Sequence, residues 1–242
     1  MTAPNQPDIR SAQFYVKYIQ TFDVPFRILI AKSADLVQLR ALCHEVNAQV
    51  IRHVIDHQHF GLDHARLLAQ HHHTQFGLEY LTRKPAFAND NAVRAALFKN
   101  NGSSKLVLDR CFRTLNLFRL NNLAVGREAN EKTMMYARDT LRTKFDQSTP
   151  DQKTQFIIRT EGRCLRFFYQ MQLDAETADL LGKHMYSSFI LVRNLLSFPG
   201  LPPEVLRGIF RSPIISKHQG FRQRILSHTN CPADVRIKAK QK

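Results

Sequence analysis

The sequence predicts an all-α fold, a stack of helix-turn-helix repeats of the α-solenoid type, and three observations lead there. A self-similar stretch recurs four times without gaps, as LLAQHHHTQFGLEYL at 67–81, LFKNNGSSKLVLDRC at 97–111, LLSFPGLPPEVLRGI at 195–209 and ILSHTNCPADVRIKA at 225–239. The first two copies lie 30 residues apart and so do the last two, a period at which arrays of helix pairs are found. The 242 residues also include only 9 Gly and show little period-two alternation, which disfavours strands.

Element by element, the chain begins with Phe14, Tyr15 and Tyr18 beside Lys17, at the spacing of an apolar helix face. Ser33 or Asp35 is expected to cap one long helix in which Leu36, Leu39, Leu42, Val46, Val50, Val54 and Ile55 recur at three- and four-residue steps. Each repeat copy then supplies a helix end, a polar turn and a helix start. Its capping column is Thr74, Ser104, Pro202 and Pro232, where Ser and Thr accept from unpaired N–H groups and Pro has no N–H to leave unpaired. Just beyond it, Leu106, Val107, Val205, Leu206 and Val235 are expected to point inward. Further helices are predicted over 128–145, from Thr149 or Pro150 to 171, and from Asp174 or Ala175 to 196. The acidic group Asp174, Glu176 and Asp179 reads as first-turn capping. Residues 112–167 contain no clear copy. No break is long enough for an interdomain linker, so the expectation is one all-helical domain over 1–242, with 1–8 and 237–242 as flexible tails.

The phrases FPGLPPEVL at 198–206, HTNCPADVR at 228–236 and VRAALFKNNGSSKLVLDRC at 93–111 resemble units of the bacterial leucine-rich-repeat variant family of α-helical repeats. The resemblance covers about a quarter of the chain. It implies a binding or scaffolding surface, since those repeats carry no shared catalytic residues.

Charge is the second strong signal. With 35 Lys and Arg against 20 Asp and Glu, the net charge of +15 favours acidic partners, whether nucleic acid, a membrane surface or a protein. The imbalance grows toward the end, which points to a basic face carried by Arg207, Arg211, Lys217, Arg222, Arg224, Arg236 and Lys238. Contacts from such residues to phosphates would make nucleic-acid binding steeply salt-dependent. No RNP-like aromatic motif, KH loop or zinc finger accompanies them.

Eight of the 11 histidines fall between positions 44 and 73. His53 and His57 lie four apart, on one helix face with Asp56, Asp63 and His64 nearby, and are weak metal-ligand candidates; the segment otherwise reads as polar turns and helix surface. No H-E-x-x-H motif, G-x-S-x-G elbow or phosphate loop occurs, so neither a catalytic residue nor a cofactor is indicated. Cys43, Cys111, Cys164 and Cys231 form no C-x-x-C pair and read as reduced thiols in a cytoplasmic protein. No apolar run is long enough to cross a bilayer. The function expected is a non-enzymatic protein–protein adaptor with a basic C-terminal face; the alternative is a nucleic-acid-binding protein that contacts phosphates through the same residues. The oligomeric state is left open.

Overall fold

The structure, a computed structural model, describes residues 9–240; the side chains of Ile9, Lys217, Gln219 and Lys240 lie outside that description. Eighteen α-helices and no strand occur among the described residues, and the helices pack against neighbours in sequence order. The chain divides into two compact units, Met1–Thr140 and Leu141–Lys242.

The first unit holds α1 (Ile9–Phe14), which continues into a π-helical turn (Tyr15–Ile19), then α2 (Val24–Ser33), α3 (Leu36–Leu42), α4 (Ala48–Asp56), α5 (Leu62–His71) and α6 (Gln75–Thr82). It goes on with α7 (Pro85–Ala88), α8 (Asn91–Lys99), α9 (Lys105–Phe112), α10 (Leu117–Val125) and most of α11 (Glu131–Asp146). Helices α2, α4, α6 and α9 pack in succession as one row, and α1, α3, α5 and α8 as a second. Each helix is too short to be stable alone, so the rows hold together by burying the facing stripes, among them Leu39, Leu42, Val50, Val54, Leu68, Leu78, Leu97 and Val107.

Local chemistry sets where the helices start. Asp23, Asp35, Asn47, Thr74, Asp90, Ser104 and Asn116 each accept hydrogen bonds from backbone N–H groups in the first turn of the helix that follows. The single helix expected across 36–55 is two, α3 and α4. Glu45 interrupts it: its Oε1 accepts from the N–H groups of Val46 and Asn47, and Asn47 then caps α4. Glu45 is itself fully buried and bound by both oxygens to Arg27 Nη1, which also donates to Tyr15 Oη. Leu36 and Val46, expected on the apolar stripe, are exposed, as is Leu106.

The second unit contains the end of α11, then α12 (Pro150–Arg159), a 3₁₀ turn (Arg163–Phe167), α13 (Ala175–Lys183), α14 (Phe189–Leu195), α15 (Pro203–Arg211), α16 (Ile214–Lys217), α17 (Gln219–Leu226) and α18 (Ala233–Lys240). Two predicted helices again prove to be pairs. The one from Thr149 stops after Arg159, where Glu161 and Gly162 take positive φ of 53° and 70°. The one from Asp174 stops at Lys183, and Ser188 starts a new helix by accepting from Leu191 N–H. Asp174 caps α13 as expected and also binds Lys153 at 2.8 Å. Phe145 stacks on Phe168 at 4.2 Å and meets Phe156, forming a core of three buried rings. Helices α13 and α15 approach backbone to backbone: a Cβ on Gly208 would lie 2.2 Å from the Gly182 carbonyl oxygen. Residues 237–240, expected in a flexible tail, continue α18, while 1–8 and 241–242 lie outside the described residues.

All four sequence copies are helix end, turn and helix start, at α5–α6, α8–α9, α14–α15 and α17–α18. The second copy's turn is tied to the first and the fourth copy's to the third. Asn100 Nδ2 donates to the carbonyls of Ala69 and His72 at 2.8 Å each, and Asn230 Nδ2 donates to those of Pro199 and Leu201. The His228 ring bonds the Phe198 carbonyl in the same manner. The repeat therefore shows itself both in chain direction and in side-chain bonds that join the two turns of each pair.

Candidate functional site

The basic residues singled out in the sequence all fall on α15 to α18 of the second unit, and several of them serve as ties within it. Arg207 Nε donates to both oxygens of Asp234 and Nη1 lies 3.6 Å from Glu204, which joins α15 to α18. Arg211 Nε donates to the Arg207 carbonyl one turn back. Arg222 binds the Ala239 carbonyl near the end of α18, and Arg224 donates to Ser197 Oγ in the preceding turn. Arg236 and Lys238 are exposed on α18. The side chain of Lys217 lies outside the described residues. Arg207 and Arg222 are thus half-buried connectors, while Arg211, Arg224, Arg236 and Lys238 are exposed.

The histidine segment is divided among separate roles. His53 lies within α4 and His57 is its C-cap, with its ring 5.5 Å from that of His59. Asp56, grouped with them in the sequence, instead accepts from Tyr80 Oη at 2.6 Å and pairs with Lys84 at 2.9 Å, and these contacts hold its carboxyl below the usual range against the opposing effect of burial. His64 is buried, which lowers its pKa, and its Nδ1 accepts from Gly61 N–H. His72 is buried more deeply, and desolvation pushes its pKa down to about 4. Among the described residues, no three His, Cys, Asp or Glu side chains converge on a common point as metal ligands would. All four cysteines are buried free thiols, and burial raises Cys111 and Cys164 to about 12.

Two surface features of the first unit were not read from the sequence. Val16, Tyr18, Phe22, Phe26, Leu29, Leu36 and Val37 are between 44 and 63% exposed, on the π-helical turn, α2, α3 and, for Phe22, the connection before α2. Ring contacts link Phe14 to Tyr18 at 5.0 Å and Phe22 to Phe26 at 4.7 Å. Isolated exposed apolar residues are ordinary, but this density within 22 residues of chain is not. Of the aromatic group expected as helix packing, Tyr15 is buried against Arg27, whereas Tyr18 is open to solvent with Lys17 over its ring.

The second feature is a groove of about 330 Å³ on the α4–α6 row, lined by Arg52, Phe76, Tyr80, Arg83 and Lys84. Phe76 and Tyr80, one turn apart on α6, stack at 5.9 Å and 15°. The guanidiniums of Arg52 and Arg83 lie 5.8 and 5.5 Å from the Tyr80 ring centre. The only sequence signal for it was the repeat period: Arg52 and Tyr80 are 28 residues apart, as are Asp56 and Lys84, which is how residues on successive layers come to meet.

No helix among the described residues is long and apolar enough to cross a membrane. Compared with known proteins, the chain matches no family model, no curated protein and no solved structure.

Proposed function

We propose that the protein is a non-enzymatic α-helical-repeat adaptor, working in the cytoplasm, that holds another protein against the apolar side chains exposed between Val16 and Val37. The observation that carries this reading is the exposure of Val16, Tyr18, Phe22, Phe26, Leu29, Leu36 and Val37 on adjoining elements, since water-exposed apolar surface of this density is stabilised by being covered. The basic residues left open on the C-terminal helices add long-range attraction for an acidic partner. The resemblance to leucine-rich-repeat variant units supports the same reading, because those repeats carry binding surfaces.

The test is a paired capture experiment with the wild-type protein and Phe26→Asp/Leu29→Asp, both exposed positions whose replacement should leave helix content unchanged. The expected result is a partner retained by the wild type, lost from the variant, and rebinding the wild type saturably once purified. Retention that is equal for both proteins, or a purified partner that fails to saturate, would overturn the reading.

A further inference from the structure

We infer that the groove formed by Arg52, Phe76, Tyr80, Arg83 and Lys84 binds single-stranded nucleic acid, with a base stacking on Phe76 and its flanking phosphates held by Arg52 and Arg83. The site lies on α4 and α6 and is independent of the apolar surface assigned to a protein partner.

Its parts divide into those fixed on Asp56 and those that make no ion pair. Tyr80 Oη is fixed on Asp56, and Lys84 is held by Asp56 and by the Ile55 carbonyl at 2.7 Å. Asp56 is therefore balanced locally, and the Tyr80 ring is locked in place before any ligand arrives. Arg52 and Arg83 are exposed and rest on that ring, and among the described residues no carboxylate lies within ion-pair distance of either. Two guanidiniums that make no direct ion pair thus border a fixed aromatic platform, Arg52 within electrostatic reach of Asp56 and Tyr80 and Arg83 within reach of Glu79. Phe76, 40% exposed and nearly parallel to Tyr80, extends the platform outward.

That combination matches the chemistry of a nucleotide strand. Every base has a flat π face to stack on an aromatic ring, and guanidiniums bind phosphate oxygens in pairs. A duplex keeps its base faces stacked inside, so the occupant is single-stranded. An acidic peptide would satisfy the two guanidiniums but has no flat partner for Phe76, and the groove offers no apolar pocket beyond the two rings. A volume of about 330 Å³ suits one nucleotide unit, near the lower end of small-ligand sites at roughly 300 Å³.

The experiment measures fluorescence anisotropy with three labelled probes across a salt series: a thymidine oligonucleotide, an abasic oligonucleotide of the same length, and an oligoglutamate peptide. The proteins are the wild type, Phe76→Ala, Arg52→Glu/Arg83→Glu, and Arg211→Glu/Arg236→Glu as a charge control on the other unit, each checked for unchanged helix content. The thymidine probe should bind the wild type about tenfold tighter than the abasic one, and Phe76→Ala should remove that difference while leaving abasic binding unchanged. Arg52→Glu/Arg83→Glu should weaken both oligonucleotides more than about tenfold and reduce the salt slope by about two. The control pair should fall well short of that loss. The inference is overturned by equal binding of thymidine and abasic probes, by loss that follows the control pair instead, by preference for oligoglutamate, or by no binding at about 100 mM salt.

Discussion

His72 sits in the first turn of the repeat copies with its Nε2 2.5 Å from Thr74 Oγ1, in a space that exists only because residue 77 is glycine. A Cβ there would fall 1.9 Å from the ring, so His72 and Gly77 are complementary choices. Burial lowers the histidine pKa to about 4 from the usual 6.5, so the folded protein resists a proton that the unfolded chain accepts readily. Stability from this group is complete above about pH 6.5 and declines as pH falls toward 4, at about 1.4 kcal/mol per unit. Urea denaturation should therefore show a loss of about 2 kcal/mol between pH 7 and pH 5, and His72→Gln should flatten much of that slope. Some slope will remain, because His64 and His184 are shifted in the same direction by desolvation. An unchanged slope in the variant would mean that His72 is solvated in the folded protein.

Two breaks in this chain, before α4 and before α14, fall where a polar side chain captures the backbone, and the apolar pattern continues across them. The start signals were legible for that reason: Asp35, Thr74, Ser104, Thr149 and Asp174 all cap helices as their residue types predict. The stops were not, because Leu42, Val46 and Val50 run on at four-residue steps across the break that Glu45 makes, and apolar residues likewise continue on both sides of Ser188. The groove at Tyr80 escaped notice for a related reason: its members belong to successive layers, and their proximity depends on a period that the sequence displays only at the turns. Close packing between layers was equally hidden, yet it makes a sharp prediction. Gly208→Ala would drive a methyl group into the Gly182 carbonyl and should destabilise by more than about 2 kcal/mol, whereas Gly220→Ala, with nothing within 4 Å, should stabilise α17 by up to about 1 kcal/mol. Thermal melts of the two variants check this, and similar midpoints would show that α13 and α15 do not touch at these glycines.

At the scale of the molecule, contacts are made between neighbours in sequence order and the chain divides into two compact units, so a local defect should be felt locally. Asn100 tests this, because its amide ties two carbonyls of the preceding turn and Asp in its place keeps the shape without the donors. Asn100→Asp should destabilise by about 1–3 kcal/mol, with hydrogen exchange rising first in α5, α8 and α9 and last in α13 and α15. Uniform loss of protection would instead describe a single cooperative block. The turn-to-turn bonds have a kinetic consequence as well. Side-chain ties reach back 33 residues at Ser11 to His44 and at Asn194 to Glu161, and 28 to 31 at Asn100 and Asn230. Closing a loop of that size costs about 3 kcal/mol in its length-dependent entropy, and the same cost recurs at each layer however many layers follow. Such a chain has low contact order: it gathers its structure in short steps and can begin folding wherever two adjacent layers first meet.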